Sequence, residues 1–258
     1  MNYPFKEEGK FKYYEKGNKD GETLVLLHGL MGSVENFPEV PDFFAEKYLV
    51  VLPVLPIYDL PLHNVGLTGI LSHVVEFIDF KGFDKVHLVG NSLGGHIALM
   101  YTLANPTRVS SMTLTGSSGL YESAMGNTFP KRGDYEFIKK KVQDTFYDPA
   151  SATQELIDTI FDSVNDRNKA LRIVMASKSA VRHNLESELP KIKTPTLLIW
   201  GKNDSVTPPF VGEKFRDAIK NSKLVWMNHC GHAPMLEKPT EFNEILDGFL
   251  TTVANEKV

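Results

Sequence analysis

Val86-His87-Leu88-Val89-Gly90-Asn91-Ser92-Leu93-Gly94-Gly95 is where this 258-residue chain changes from one period to another. Val86 to Val89 is an apolar run of strand type, and a helical run begins after Gly94. Ser92 sits on the corner between them, with glycine two residues before and two after. A side chain on such a corner points away from both elements, and the flanking glycines let strand and helix approach closely. The pattern is common by itself, so its meaning depends on what the rest of the chain supplies.

Upstream, residues 3–8 and 11–16 read as two strands around Gly9-Lys10, followed by the turn cluster 17–21. Residues 23–27 (TLVLL) and 49–54 (LVVLPV) are continuous apolar strands of the kind found in a sheet covered on both faces. A helix over 34–46, irregular at Pro38 and Pro41, lies between them. Residues 66–80 carry Leu67, Ile70, Leu71, Val74, Val75 and Ile78 at helical spacing. Downstream of Gly94 come a helix over 93–103 and a strand over 109–115. Strands and helices alternate as in a largely parallel α/β sheet. From Ser118 the pattern changes: 135–147, 153–164 and 168–181 read as helices, and the next buried strand is 196–200. Alternation then resumes with helix 208–220, strand 223–227 and helix 240–253. The expected organisation is a core of residues 1–117 and 191–258 with a helical cap, 118–190, inserted into it.

Composition narrows the function classes. The chain is 42% hydrophobic and 23% charged, enough for a substantial core. A net charge of −4 gives no electrostatic case for nucleic acid or an anionic membrane. The Lys139-Lys140-Lys141 run is flanked by Asp134, Glu136 and Asp144 and reads as a solvated helix face. No apolar leader and no transmembrane-length run is present, and the single Cys230 excludes an intrachain disulfide, so a cytoplasmic protein is expected. The eight histidines show no H-x-H or H-E-x-x-H spacing, and no Gly-Lys-Ser/Thr follows Gly29 and Gly32, so neither a metal nor a cofactor is expected. The expected partner is a small-molecule substrate, and a homodimer is compatible with the sequence.

A serine hydroxyl needs a base, a group to orient the base, and donors for the oxyanion it creates. His232, in the loop after the last strand, is the base candidate, preferred over its neighbour His229 because Gly231 precedes it and Pro234 follows. Asp204, just past strand 196–200, is the carboxylate candidate, with a helix-capping role as the alternative. The chain order Ser92, Asp204, His232 is that of one hydrolase architecture and differs from two others. All three follow the carboxyl ends of strands, where open α/β sheets carry their sites. The backbone N–H groups of Leu30 and Leu93 are the oxyanion candidates, the second at a helix start where the dipole favours negative charge. His28 reads as a brace for the Leu30 loop, His96 as packed on its helix or facing the pocket, and Cys230 as a small buried thiol.

These motifs together make the chain similar to the α/β-hydrolase fold family over nearly its whole length. The carriers are His28-Gly29, the 90–95 stretch, Gly201-Lys202-Asn203-Asp204 and Cys230-Gly231-His232-Ala233-Pro234. The resemblance implies a mostly parallel central sheet flanked by helices, with an inserted helical cap that selects substrate. Tyr147-Asp148-Pro149 and Leu189-Pro190-Lys191-Ile192 further resemble the carbon–carbon bond hydrolases of aromatic ring-cleavage pathways. Those enzymes carry an Arg-Trp pair in the cap and a Trp after the histidine. This chain has Ile160-Phe161 and Ala233 there, with Arg167, Arg172 or Arg182 as the candidate to take the arginine's place.

The expectation is therefore a serine esterase: a Ser-His-Asp hydrolase of small to medium apolar carboxylic esters, working through an acyl-enzyme. Carbon–carbon bond hydrolysis is the alternative, and a ligand receptor on a hydrolase scaffold is the alternative from another class. Met125, Phe129, Phe137, Ile160, Phe161, Val206 and Ala233 are the candidate pocket residues.

Overall fold

The strands expected from the apolar runs are present in the computed structural model, which describes residues 4–122 and 132–255. They are β1 (Lys6–Glu8), β2 (Phe11–Gly17), β3 (Thr23–Leu27), β4 (Leu49–Pro53), β5 (Val86–Asn91), β6 (Val109–Thr115), β7 (Thr196–Gly201) and β8 (Ser222–Met227). Among the described residues these eight form one sheet in the order β1-β2-β4-β3-β5-β6-β7-β8. The β1–β2 and β2–β4 pairs are antiparallel, and every other pair is parallel.

The apolar runs are continuous because the sheet is covered on both faces, and period-2 alternation divides each strand between two cores. Val25 and Leu27 of β3, Leu88 of β5 and Leu198 and Trp200 of β7 join one cluster; Leu24, Leu26, Val89, Leu197 and Ile199 join the other. The first is closed by α2 (Leu67–Phe80), α3 (Leu93–Ala104) and α7 (Pro209–Ala218), through side chains such as Ile70, Ile97 and Phe215. The second is closed by α1 (Val40–Phe44) and α9 (Pro239–Asn255), through Phe44, Phe242 and Leu246.

The helix expected over 34–46 is instead two short pieces, a 3₁₀ turn Val34–Asn36 and α1. Pro41 has no N–H to donate, so it fits only in the first turn of a helix, and it occupies the N-terminal end of α1.

Between β6 and β7 the chain leaves the sheet, although the two strands are parallel neighbours. It forms α4 (Tyr135–Gln143), α5 (Gln154–Asn165) and α6 (Arg167–Arg182). Each starts on a side-chain cap that satisfies a free amide of the first turn: Asp134 to Phe137, Thr153 to Leu156, and Asp166 to Asn168 and Lys169. Ile138, Val142, Ile157 and Val164 continue the α1/α9-side core, whereas Ala176 and Ala180 of α6 join the α2-side core. No described helix is long and apolar enough to cross a membrane.

Candidate active site

The sheet order sets the carboxyl ends of β3, β5, β6, β7 and β8 side by side. Ser92 follows β5 directly, with φ +54 and ψ −118, one of two described non-glycine residues at positive φ. Such a conformation costs on the order of 1–3 kcal/mol and persists only where the surroundings enforce it. Here the Ser92 N–H donates to the Thr115 carbonyl at the end of β6 (3.1 Å), and the Ser92 carbonyl accepts from the Ser118 N–H (3.2 Å). Gly94 lets α3 approach the sheet this closely: a Cβ there would lie 2.0 Å from the Leu27 carbonyl oxygen.

Asp204 and His232 meet across β7 and β8. The His232 Nδ1 is 2.9 Å from Asp204 Oδ2 and 3.1 Å from Oδ1. A carboxylate only accepts, so Nδ1 carries a proton, and in the neutral ring the lone pair is then on Nε2. Both side chains are buried. The carboxylate also accepts from the amides of Val206 (2.8 Å) and Thr207 (2.9 Å) and from the Thr207 hydroxyl (2.8 Å). The helix cap weighed as the alternative for Asp204 is not formed: its amide bonds close the turn before α7, whose N-cap is Pro208 without a side-chain cap bond. Thr207 is held in turn by Trp200, whose Nε1 donates to its carbonyl (2.8 Å).

Asn91 links the serine corner to the histidine loop. Asn91, beside Ser92, donates from Nδ2 to the carbonyls of Thr115 and His232, both at 3.1 Å. Gly116 lies under the imidazole; a Cβ on it would come within 2.7 Å of His232 Nδ1. Glu237, on the short helix α8 (Pro234–Glu237), fixes the histidine loop from the other side. Its carboxylate accepts from the amides of Gly231 (2.9 Å), Ala233 (3.3 Å) and Tyr147 (2.8 Å). Burial pushes its pKa up, against those donors.

Leu30 and Leu93 border the same small cavity as Ser92, and neither amide finds an acceptor among the described residues. His28 braces the Leu30 loop. Its Nε2 accepts from the Leu55 N–H (3.1 Å), so its Nδ1 carries the proton and donates to the Gly29 carbonyl (2.9 Å). Burial lowers its pKa, consistent with a neutral ring. His96 is equally committed: Nε2 donates to the His183 carbonyl (2.9 Å) and Nδ1 accepts from Ser118 Oγ (3.2 Å). Burial lowers its pKa to about 4. His229 is exposed and lies beside the Tyr147 ring, not beside Asp204. Cys230 is buried, and that burial pushes its thiol well above the ordinary range.

The pocket expectations divide. Val206 borders the Ser92 cavity with Leu30, Leu93, Tyr121, Glu122 and Ala180. Phe137, Ile160, Phe161 and Ala233 do not; they pack into the α1/α9-side core. Their spacing marked them as buried but did not say against what. Met125 and Phe129 lie outside the described residues. None of Arg167, Arg172 and Arg182 borders the cavity. The part of the cavity enclosed by the described residues is small, about 30 Å³. The larger cavity, about 610 Å³, lies between the loop before α2, α2 itself and the end of α6, and borders none of Ser92, Asp204 and His232.

Asn91, Thr207 and Glu237 were missed from the sequence. For Thr207 a signal exists, since the Asp-x-x-Thr spacing is that of a turn closed by an Asp side chain. For Glu237 the bonds to Gly231 and Ala233 are local, but the one to Tyr147 spans ninety positions and leaves no local signal.

The fold and this arrangement together define a hydrolase. The chain belongs to the alpha/beta hydrolase family, whose profile matches residues 24–245. It is 32% identical over 266 residues, 93% of this chain and 91% of the other, to a 2-hydroxy-6-oxononadienedioate/2-hydroxy-6-oxononatrienedioate hydrolase of Pseudomonas putida. Among solved structures it resembles an alpha/beta hydrolase enzyme from the metagenome of lagoon sediments at Mar Chica, Morocco. That likeness has 41% identity and a TM-score of 0.80, covering 96% of this chain and 98% of that one. It also resembles a bacterial membrane phospholipase A described as a virulence factor, with 28% identity and a TM-score of 0.83 over 95% of this chain and 83% of that one.

Proposed function

We propose that this protein is a serine hydrolase that cleaves carboxylic esters of small to medium apolar substrates through an acyl-enzyme. The observation that carries the reading is the buried Asp204–His232 pair, which leaves Nε2 as a free base at the same sheet end as the strained Ser92. In this reading Ser92 Oγ attacks the ester carbonyl and its proton passes to His232 Nε2. Asp204 holds the ring and stabilises the imidazolium. The Leu30 and Leu93 amides receive the oxyanion, each donor being typically worth about a hundred- to a thousandfold in rate. The imidazolium protonates the leaving alcohol. A water deprotonated by His232 then attacks the acyl-enzyme, and collapse of the second tetrahedral intermediate frees the acid and Ser92. Residues 118–190 act as a cap, with Ala180 of α6 facing the acyl group.

Carbon–carbon bond hydrolysis is the second reading, favoured by the activity named for the Pseudomonas putida relative. Against it stands the wall of the cavity, where no described residue is cationic. The test is steady-state hydrolysis of p-nitrophenyl butyrate and of a 2-hydroxy-6-oxo-dienoate by the protein and by Ser92→Ala. The ester reading expects the higher kcat/KM on the butyrate, lost by about 10³-fold or more in Ser92→Ala. A higher kcat/KM on the dienoate transfers the assignment to carbon–carbon cleavage. Turnover well below about one per second on every substrate speaks for a receptor.

A further inference from the structure

Glu122 is the one carboxylic acid among the described residues on the wall of the Ser92 cavity, and no described Lys, Arg or His borders it. The rest of that wall is apolar or hydroxyl-bearing. Glu122 Oε1 accepts from the Gly119 N–H at 2.6 Å, and no ion pair with a described cation accompanies that bond. Gly119 follows Ser118, whose amide holds the Ser92 carbonyl, so the carboxyl is anchored to the same loop as the nucleophile. Tyr121, beside it on the wall, is fixed edge-on against Phe210 at 5.0 Å. A part-buried acid with one anchored oxygen and no counter-charge among the described residues is a poor neighbour for an anion and a good one for a cation. Burial pushes its pKa up to about 7.

We propose that Glu122 sets the charge of the acyl group this enzyme accepts: cationic and neutral acyl chains are taken, and chains ending in a carboxylate are rejected. The proposal rests on the ester-hydrolase reading and deepens it to a substrate class. It also separates this chain from the relative named for a dienedioate, whose two carboxylates would meet the Glu122 carboxylate in a cavity where salt screens little.

The experiment compares three p-nitrophenyl esters of similar length: butyrate, hemisuccinate and trimethylammonio-butyrate. At pH 8, where Glu122 is ionised, the parent is expected to favour the cationic over the anionic ester in kcat/KM by at least about thirtyfold. Glu122→Gln is expected to shrink that ratio by about tenfold, and Glu122→Asp to keep it within about threefold of the parent. Should Glu122→Gln not fold, the same ratio is read in the parent between pH 6 and pH 8.5. The other ionisable side chains at the site, His232 and Tyr121, meet all three esters alike and cancel in the ratio. The ratio must then fall at the acid end. A ratio unchanged by Glu122→Gln, or flat with pH, overturns the charge rule while leaving the hydrolase intact. A parent inactive on all three esters overturns the ester-hydrolase reading and the charge rule with it.

Discussion

The Thr207 hydroxyl lies 2.8 Å from Asp204 Oδ2 and 3.4 Å from His232 Nδ1, so it touches both members of the buried pair. With the Val206 and Thr207 amides it fixes the plane of the carboxylate that orients the imidazole. Thr207→Val keeps the shape and the amide bonds and removes one hydrogen bond, typically about 0.5–1.5 kcal/mol. The expected result is a fall in kcat of up to about tenfold with KM little changed, recovered by Thr207→Ser. Asp204→Asn is expected to cost about 10⁴-fold, because the wrong tautomer is then favoured. Steady-state kinetics of the three variants checks both; parental kcat in Thr207→Val would remove Thr207 from the site.

Gly116 is tied to His232 by space. Its φ is +50, and a Cβ there would sit 2.7 Å from the imidazole Nδ1 and 2.9 Å from the His232 carbonyl oxygen. Gly116→Ala must therefore displace the histidine loop or strain its own backbone. The left-handed conformation alone costs alanine about 1–2 kcal/mol, a loss of a few degrees in melting temperature for a chain of this size. Displacing the base by about 1 Å is worth about a hundredfold in rate. The expected variant is folded by circular dichroism, slightly less stable and at least about a hundredfold slower. A variant that is slower only in proportion to its unfolded fraction contradicts this reading.

His73 gives a pH dependence of stability. It is 7% exposed, packs on Phe11 at a ring separation of 5.1 Å, and has no hydrogen-bond partner among the described residues. Burial, helped by Lys10, lowers its pKa to about 4. The unfolded chain therefore takes up the proton first as pH falls through about 6.5, and the fold loses stability from there down to about 4. At pH 5 the loss from this residue is about 2 kcal/mol. Denaturant unfolding of the parent and His73→Phe at pH 8 and pH 5 isolates it, since contributions from other groups cancel in the comparison. The variant is expected to gain about 2 kcal/mol on the parent between the two pH values. An equal change in both proteins would show that His73 stays neutral for no energetic reason.

The core was readable because each strand is a continuous apolar run whose alternate residues serve opposite layers, as Val25 and Leu26 do. The positions of Ser92, Asp204 and His232 were readable because each sits next to a strand end, where local sequence fixes local geometry. The supporting contacts were not. Asn91 reaches the His232 carbonyl and Glu237 reaches the Tyr147 amide only through the folded chain. Four of the pocket candidates lie away from the Ser92 cavity for a related reason, while Val206 borders it. Ile160 and Phe161 have the spacing of a buried helix face, and that spacing is the same whether the face meets a cavity or a core. Pro41 shows the reverse, a local rule that split one expected helix into two.

Active-site labelling reads whether Ser92 is an activated nucleophile in the folded protein. The folded protein is treated with a fluorophosphonate probe, digested, and the modified peptide located by mass spectrometry. One modification is expected, on Ser92, absent from Ser92→Ala and from protein unfolded before treatment. A label on any other residue, or an unlabelled Ser92 in the folded protein, contradicts it.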